Sequence, residues 1–123
     1  MRLLLDSHIL LWWDSDLSKL SITQRAVIED PANQVYVSPV SAWELGIKST
    51  VGKLKLQGSV RDLVRRWGFA ELPITMAHGE RAAELPLLHK DPFDRMLIAQ
   101  AMTEGMVLVS ADSKLAEYGV AVL

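Results

Sequence analysis

VYVSPVSAWELGIKSTVG, Val35 to Gly52, changes its periodicity partway through. Val35 to Ser38 is a β-branched and aromatic run of the kind that forms a buried strand. Ser38-Pro39 then places a capping serine before a proline at the first helical position, and the pattern stays helical to about Val51, before Gly52. The fold therefore turns on whether the rest of the chain repeats this passage from strand to helix.

Toward the N-terminus it does. RLLLD, Arg2 to Asp6, is a short apolar run ending in an acid, and Ser7 to Trp13 suits a short helix. Ser21 opens a further helix, ITQRAVIED, which stops at Pro31. Toward the C-terminus, KLKLQG alternates but is too short to assign. SVRDLVRRWG reads as an amphipathic helix stopped by Gly68, and FAELPI as a third strand weakened by Pro73. TMAHGERAAEL is helical. DPFDRMLIAQAMTE, Asp91 to Glu104, is the strongest helix, with a cap, a first-turn proline and Gly105 after its last turn. VLVS follows as a buried strand, then a short helix around SKLAEYG and a final apolar run, VAVL. Continuous apolar strands alternating with helices argue for an α/β fold with a parallel sheet covered on both faces. No repeat, linker or low-complexity tract divides the chain, so residues 1–123 are expected to form one domain.

Composition narrows the function classes. Half of the 123 residues are hydrophobic, which suits a folded core and excludes a disordered tail. The longest apolar runs fall far short of a membrane span, and MRLLLD reaches an acid too soon for a secretory signal peptide. With no cysteine there is neither a disulfide framework nor a thiolate zinc site, and a cytoplasmic location is the expectation. The net charge is −2, so no basic field marks a nucleic-acid binder; an anionic substrate would be met locally, by a few cations or a bound metal.

Four acids stand out. In an open α/β sheet, ligands bind beyond the carboxyl ends of the strands. Asp6 ends the first strand, Asp112 follows VLVS by one residue, Glu44 lies in the second turn of the helix after VYVS, and Asp94 in the first turn of the strongest helix. Each has a plain structural reading. Asp6 and Asp112 suit caps, Glu44 can pair with Ser41 as a capping box or with Lys48 one turn on, and Asp94 suits a helix dipole. Yet Glu44 shares its face with Val40, Trp43 and Ile47, and Asp94 shares one with Leu97 and Ile98. Two helices thus direct a carboxylate along an apolar stripe. At ~4 Å, a like-charge pair costs about 4 kcal/mol at an effective dielectric of ~20, and a divalent cation removes that cost. An all-oxygen set favours Mg²⁺ or Mn²⁺ over zinc. His8, His78 and His89 have no paired ligand spacing; His89 could approach the acidic edge, but a solvated loop histidine is the preferred reading. Arg65-Arg66 beside Trp67 resembles an RNA-stacking patch, but the preferred reading puts Trp67 in the core and the arginines on a wet helix face. The adjacent Trp12 and Trp13 call for either a partner surface or a helix sandwiched within the fold.

LLLDSHILLWW, SPVSAWELGIK, DPFDRMLIAQA and LVSAD, taken in order, resemble the PIN-domain ribonucleases, specifically the VapC-type toxins of bacterial toxin–antitoxin pairs. The resemblance covers almost the whole chain; residues 57–85 carry no motif. It implies a three-layer domain with a central parallel sheet of about four to five strands. Its four acidic positions fall on Asp6, Glu44, Asp94 and Asp112, implied as the catalytic and metal-holding set. Ser110 matches a Ser/Thr two residues before the last acid, and Ser7 stands where a Thr or Ser usually follows the first. Ser7, Ser110, Arg95 and Lys48 are the candidates for substrate contact, with Lys90 and Lys114 behind them. Asp91 is an extra acid with capping value of its own. The implied activity is Mg²⁺- or Mn²⁺-dependent cleavage of RNA, in which the ion activates water and offsets charge on the phosphate. The implied partners are an antitoxin protein and a second copy of the chain, with no membrane.

Rival readings make distinct demands. A receiver domain needs an acidic pair after the first strand and an aspartate after the third; here Asp6 is followed by Ser7-His8, and FAELPIT ends in threonine. Phosphatases with a D-x-D start and D-x-S-x-S metal sites fail on the same residues. A PIN nuclease of RNA processing without a toxin role, and a catalytically inactive binding module on the same fold, remain as alternatives.

Overall fold

The computed structural model describes residues 1–123. Four strands form one parallel sheet: β1 (Arg2–Leu5), β2 (Gln34–Val37), β3 (Ala70–Glu71) and β4 (Val107–Val109). Their spatial order is β3-β2-β1-β4, so the first strand lies inside the sheet. Leu3, Leu4 and Leu5 pair with Val35, Tyr36 and Val37 on one side and with Val107, Leu108 and Val109 on the other. VAVL adds a fragment of a fifth strand, through a parallel bridge between Leu108 and Val122. The third strand is the shortest because Pro73 has no N–H to continue the ladder; Leu72 donates the last such bond, to the Val37 carbonyl (2.9 Å).

Six helices cover the sheet: α1 (Ser7–Ser15), α2 (Ile22–Glu29), α3 (Pro39–Thr50), α4 (Val60–Arg66), α5 (Met76–Glu84) and α6 (Pro92–Glu104). The period-2 pleat sorts the strand residues into two cores. Leu4 and Leu108 face Leu97, Ile98, Ala101, Leu115 and Tyr118, under α6. Leu3, Leu5, Val35, Val37 and Val109 face Ile9, Leu10, Ile28, Leu45 and Val60, from the helices on the opposite side. KLKLQG forms no regular element, and SKLAEY is a 3-10 turn, Ser113–Tyr118.

The caps read from sequence are formed. Ser21 and Ser59 each close a capping box, and Ser38 accepts from the Val40 N–H. The Ser41–Glu44 box is absent: Ser38 already holds the helix start, and the Ser41 hydroxyl is buried without a partner. Three burial expectations need correction. Trp43 and Ile47 are 63% and 42% exposed, because the buried face of α3 runs through Val40, Ser41, Glu44 and Leu45. Trp67 is surface rather than core, stacked edge-on against Trp13 and donating its Nε1–H to Asp14 (2.9 Å). Trp12 and Trp13 are both half-buried. Trp13 packs between Trp67 and Phe69, while Trp12 lies beside His8 with the Lys19 ammonium 5.7 Å from its ring, so the two leave the helix toward different neighbours.

Candidate metal centre

Asp6 ends β1 and caps α1, at the carboxyl edge of an interior strand. Its Oδ1 accepts from the Ile9 N–H (2.9 Å), and its Oδ2 accepts from the Ser110 hydroxyl (2.6 Å). The side chain is buried, and both donors are neutral. Burial pushes the carboxyl above its ordinary value, against the smaller pull of those hydrogen bonds and of His8. The same Ser110 Oγ accepts from the Asp112 N–H (3.1 Å), so one hydroxyl ties the end of β4 to both acids. Asp112, in turn, caps the 3-10 turn by accepting from the Lys114 N–H.

Glu44 is buried on the inner face of α3. The Ser7 hydroxyl donates to its Oε1 (2.7 Å) and Lys48 to its Oε2 (2.8 Å). Burial raises this carboxyl, but the bonds from Lys48 and Ser7 and the lysine charge outweigh it and leave Glu44 below the usual range. Since Ser7 follows Asp6 directly, Asp6 and Glu44 are joined through one seryl residue.

Asp94 sits in the first turn of α6, whose Leu97 and Ile98 are wholly buried. Burying each is worth about 1.5–3 kcal/mol, enough to hold the helix start, and Asp94 with it, against the sheet edge. Burial raises its carboxyl, the His89 hydrogen bond opposes this, and the negative charges of Asp91 and Asp6 push it further up. Asp6 and Asp94 therefore sense each other across the edge. The trio of donor side chains lying within 4.8 Å of one another is His89, Asp91 and Asp94; no trio drawn from Asp6, Glu44, Asp94 and Asp112 is that close.

Two residues emerge in roles other than those read from the sequence. His89 is not a solvated loop residue: its Nε2 lies 2.8 Å from Asp94 Oδ2. Arg95, a candidate for substrate contact, is engaged with backbone carbonyls. Its guanidinium donates to the carbonyls of Ala82, Leu85 and Pro86 (2.9 Å each) and more weakly to that of His89 (3.5 Å). The hydroxyls of Ser7 and Ser110, offered as substrate contacts, are buried and donated to Glu44 and Asp6. Lys48 keeps a partly exposed ammonium at this edge, paired with Glu44. Lys90 and Lys114 are exposed. The only sequence signal for this contact is that His89 lies five residues before Asp94, and nothing in such spacing separates a partner from a bystander.

Burial without a cation partner is the observation that decides whether this set suits a divalent ion. Asp6 carries two neutral donors, Asp94 is raised chiefly by burial and further by the charges of Asp91 and Asp6, and no arginine or lysine pairs with either in the structure. An oxygen-rich set with uncompensated charge fits Mg²⁺ or Mn²⁺.

The PIN domain family model matches residues 3–121. The chain is 30% identical over 115 residues to ribonuclease VapC22 of Mycobacterium tuberculosis, a match spanning 91% of this chain and 88% of that protein. In three dimensions it is similar to VapBC2 from Rickettsia felis, solved bound to a DNA fragment from their promoter. That likeness has a TM-score of 0.73 at 14% identity, over 100% of this chain and 98% of the other. It is also similar to a toxin–antitoxin complex from Klebsiella pneumoniae, with a TM-score of 0.69 at 18% identity, over 98% and 94% of the two chains. At such identities the structural likenesses speak for the fold: an α/β arrangement with a four-stranded parallel sheet between helices. Together with the family match along nearly the whole length, they lead to one conclusion: this chain belongs to the PIN-domain family.

Proposed function

We propose that the protein is a Mg²⁺- or Mn²⁺-dependent endoribonuclease and the toxin of a toxin–antitoxin pair. The observation that carries this reading is the buried, cation-free Asp6 at the sheet edge, within electrostatic reach of Asp94 and tied through Ser110 to Asp112 and through Ser7 to Glu44. The similarity to ribonuclease VapC22 supports RNA as the substrate.

Asp6, Asp94 and Asp112 would hold the ion, with Glu44 contributing through lone pairs that Ser7 and Lys48 leave free. When bound, the ion supplies Lewis-acid polarisation of the phosphate and a more acidic water. Ser110 fixes the rotamer of Asp6 and so the direction in which its carboxylate points. Lys48 offers a positive charge at the same edge, where the phosphodiester backbone would lie. Asp94, partly exposed and raised by burial and by its acidic neighbours, is suited to take the proton of a water whose oxygen bonds to phosphorus as the bond to the 3′ oxygen breaks, that proton then passing through solvent to the leaving 3′ oxygen.

The partner proposals rest on surface and likeness. Trp43 and Ile47 on α3, with Val51 at its C-terminal cap, form an exposed apolar row, and Leu87 and Leu88 are exposed ahead of α6. Such apolar surface suits a protein partner, an antitoxin or a second copy in a homodimer. No helix is long and apolar enough to cross a membrane, and the toxin reading places the protein inside the cell.

Purified protein incubated with RNA in Mg²⁺, Mn²⁺ or EDTA tests the enzymatic reading. Cleavage is expected in either metal, absent in EDTA, and lost in Asp6→Asn and Asp94→Asn. Cleavage that persists in EDTA and in both variants would overturn it. The toxin role predicts growth arrest on expression, relieved by co-expressing a small neighbouring protein.

A further inference from the structure

The loop between α5 and α6, residues 85–91, carries the least regular backbone near the acids, yet it is tethered at both ends. The Arg95 guanidinium gathers the carbonyls of Ala82 and Leu85, which end α5, with those of Pro86 and His89 in the loop. The hydroxyl of Tyr118, a core residue, also donates to the His89 carbonyl (3.4 Å). With its backbone oxygen held by both donors, His89 sets its imidazole Nε2 2.8 Å from Asp94 Oδ2. Asp94 and Arg95 are neighbours in the first turn of α6, so the residue beside the acid shapes the loop that returns a hydrogen bond to it.

The geometry points to His89 as a positioning residue for Asp94, with Arg95 and Tyr118 as the supports that place it. With a proton on Nε2 the imidazole donates to Oδ2, which would fix the carboxylate plane and leave Oδ1 for the centre. Donors of this kind behind a ligating carboxylate set how well the ligand is preorganised. Arg95, whose sequence position beside an acid suggested contact with the substrate, acts instead through backbone carbonyls. This inference rests on the proposed metal-dependent reading of the site.

The test is Mn²⁺ titration of the full chain, followed by spin resonance and by cleavage assays at saturating Mn²⁺, for the wild type, His89→Ala, His89→Gln and Arg95→Lys. Loss of the donor in His89→Ala is expected to weaken Mn²⁺ binding by ~10- to 100-fold, the usual effect of removing a hydrogen-bond partner from a metal ligand. KM for RNA should not change. His89→Gln, whose amide nitrogen can occupy the place of Nε2, should restore most of the affinity, which a merely structural role for the loop would not require. Arg95→Lys, unable to fan across several carbonyls, should weaken binding in the same direction even if the melting temperature also falls. Wild-type Mn²⁺ affinity in His89→Ala, or a His89→Gln variant as weak as His89→Ala, would overturn the positioning role while leaving the nuclease reading intact. Imidazole-nitrogen coupling to bound Mn²⁺ would also overturn it, since His89 would then be a ligand itself. A wild-type protein that binds no Mn²⁺ would remove both readings together.

Discussion

Asp6 concentrates the conflict between folding and function in a single side chain. It is buried among apolar strand ends, it must be ionised to hold a cation, and its two hydrogen-bond donors are neutral. The folded-state pKa is raised above the ordinary value of 3.8, so the folded protein binds this proton more tightly than the unfolded chain does. The stability associated with that proton is complete below the ordinary value and is lost as pH rises through the elevated folded-state one. Asp94, also raised, acts in the same sense. The Asp6 and Asp94 contributions to the melting temperature of metal-free protein should therefore fall as pH rises, against the opposite contribution of Glu44, and added Mn²⁺ should reverse that fall. Asp6→Asn, which keeps a capping oxygen, should flatten this pH dependence and raise the metal-free melting temperature at pH 7, measured by thermal denaturation with EDTA present. At this scale the sequence exposes the acids, since aspartates after strands and carboxylates on apolar helix faces are visible as pattern. It hides their partners. Whether Arg95 meets phosphate or carbonyl, and whether His89 meets water or Asp94, depends on the path of residues 85–91, for which no periodicity exists to be read.

Among the elements, α6 shows how one terminus serves two purposes. Asp91 caps it by accepting from the N–H groups of Phe93 (2.8 Å) and Asp94 (3.3 Å), with Pro92 in the first turn and Gly105 in the left-handed region (φ 67°) closing the far end. The same Asp91 lies within 4.8 Å of the donor atoms of His89 and Asp94, and its charge helps to raise Asp94. Asp91→Ala should cost about 1 kcal/mol of stability, the usual loss for an aspartate cap, whereas Asp91→Asn should cost far less, both read from denaturant unfolding. If the two variants were equally stable, the cap would not be what Asp91 contributes. Helices with caps and stop signals were legible along the chain because those signals are local. The third strand was only half legible: FAELPI reduces to Ala70–Glu71, since pairing at a sheet edge depends on β2 rather than on the segment itself. The exposed face of α3 was misread for a related reason. Trp43 and Ile47 follow the helical period, but the buried face is centred one step round, on Leu45, and Trp43 packs edge-on against Phe93 at 5.0 Å.

For the molecule as a whole, the parallel sheet accounts for the meeting of residues separated by more than a hundred positions. Asp6 and Ser110 are 104 residues apart in sequence, yet their strands are neighbours, and the Asp6 N–H donates to the Val109 carbonyl (3.0 Å). That arrangement follows from strand order, which alternation of strands and helices implies in outline but does not enumerate. With a net charge of −2, the chain has no general attraction for RNA, so under the proposed function recognition would arise at this edge, from Lys48 and from a cation that the acids would hold. The account stands on that shared cation. The most direct measurement is anomalous diffraction at the manganese edge from crystals grown in Mn²⁺. A peak bounded by the carboxylates of Asp6 and Asp94, with Asp112 on its rim, is the predicted result. Manganese found only at unrelated surface acids, with Asp6 still bonded only to the Ser110 hydroxyl and the Ile9 N–H, would contradict it.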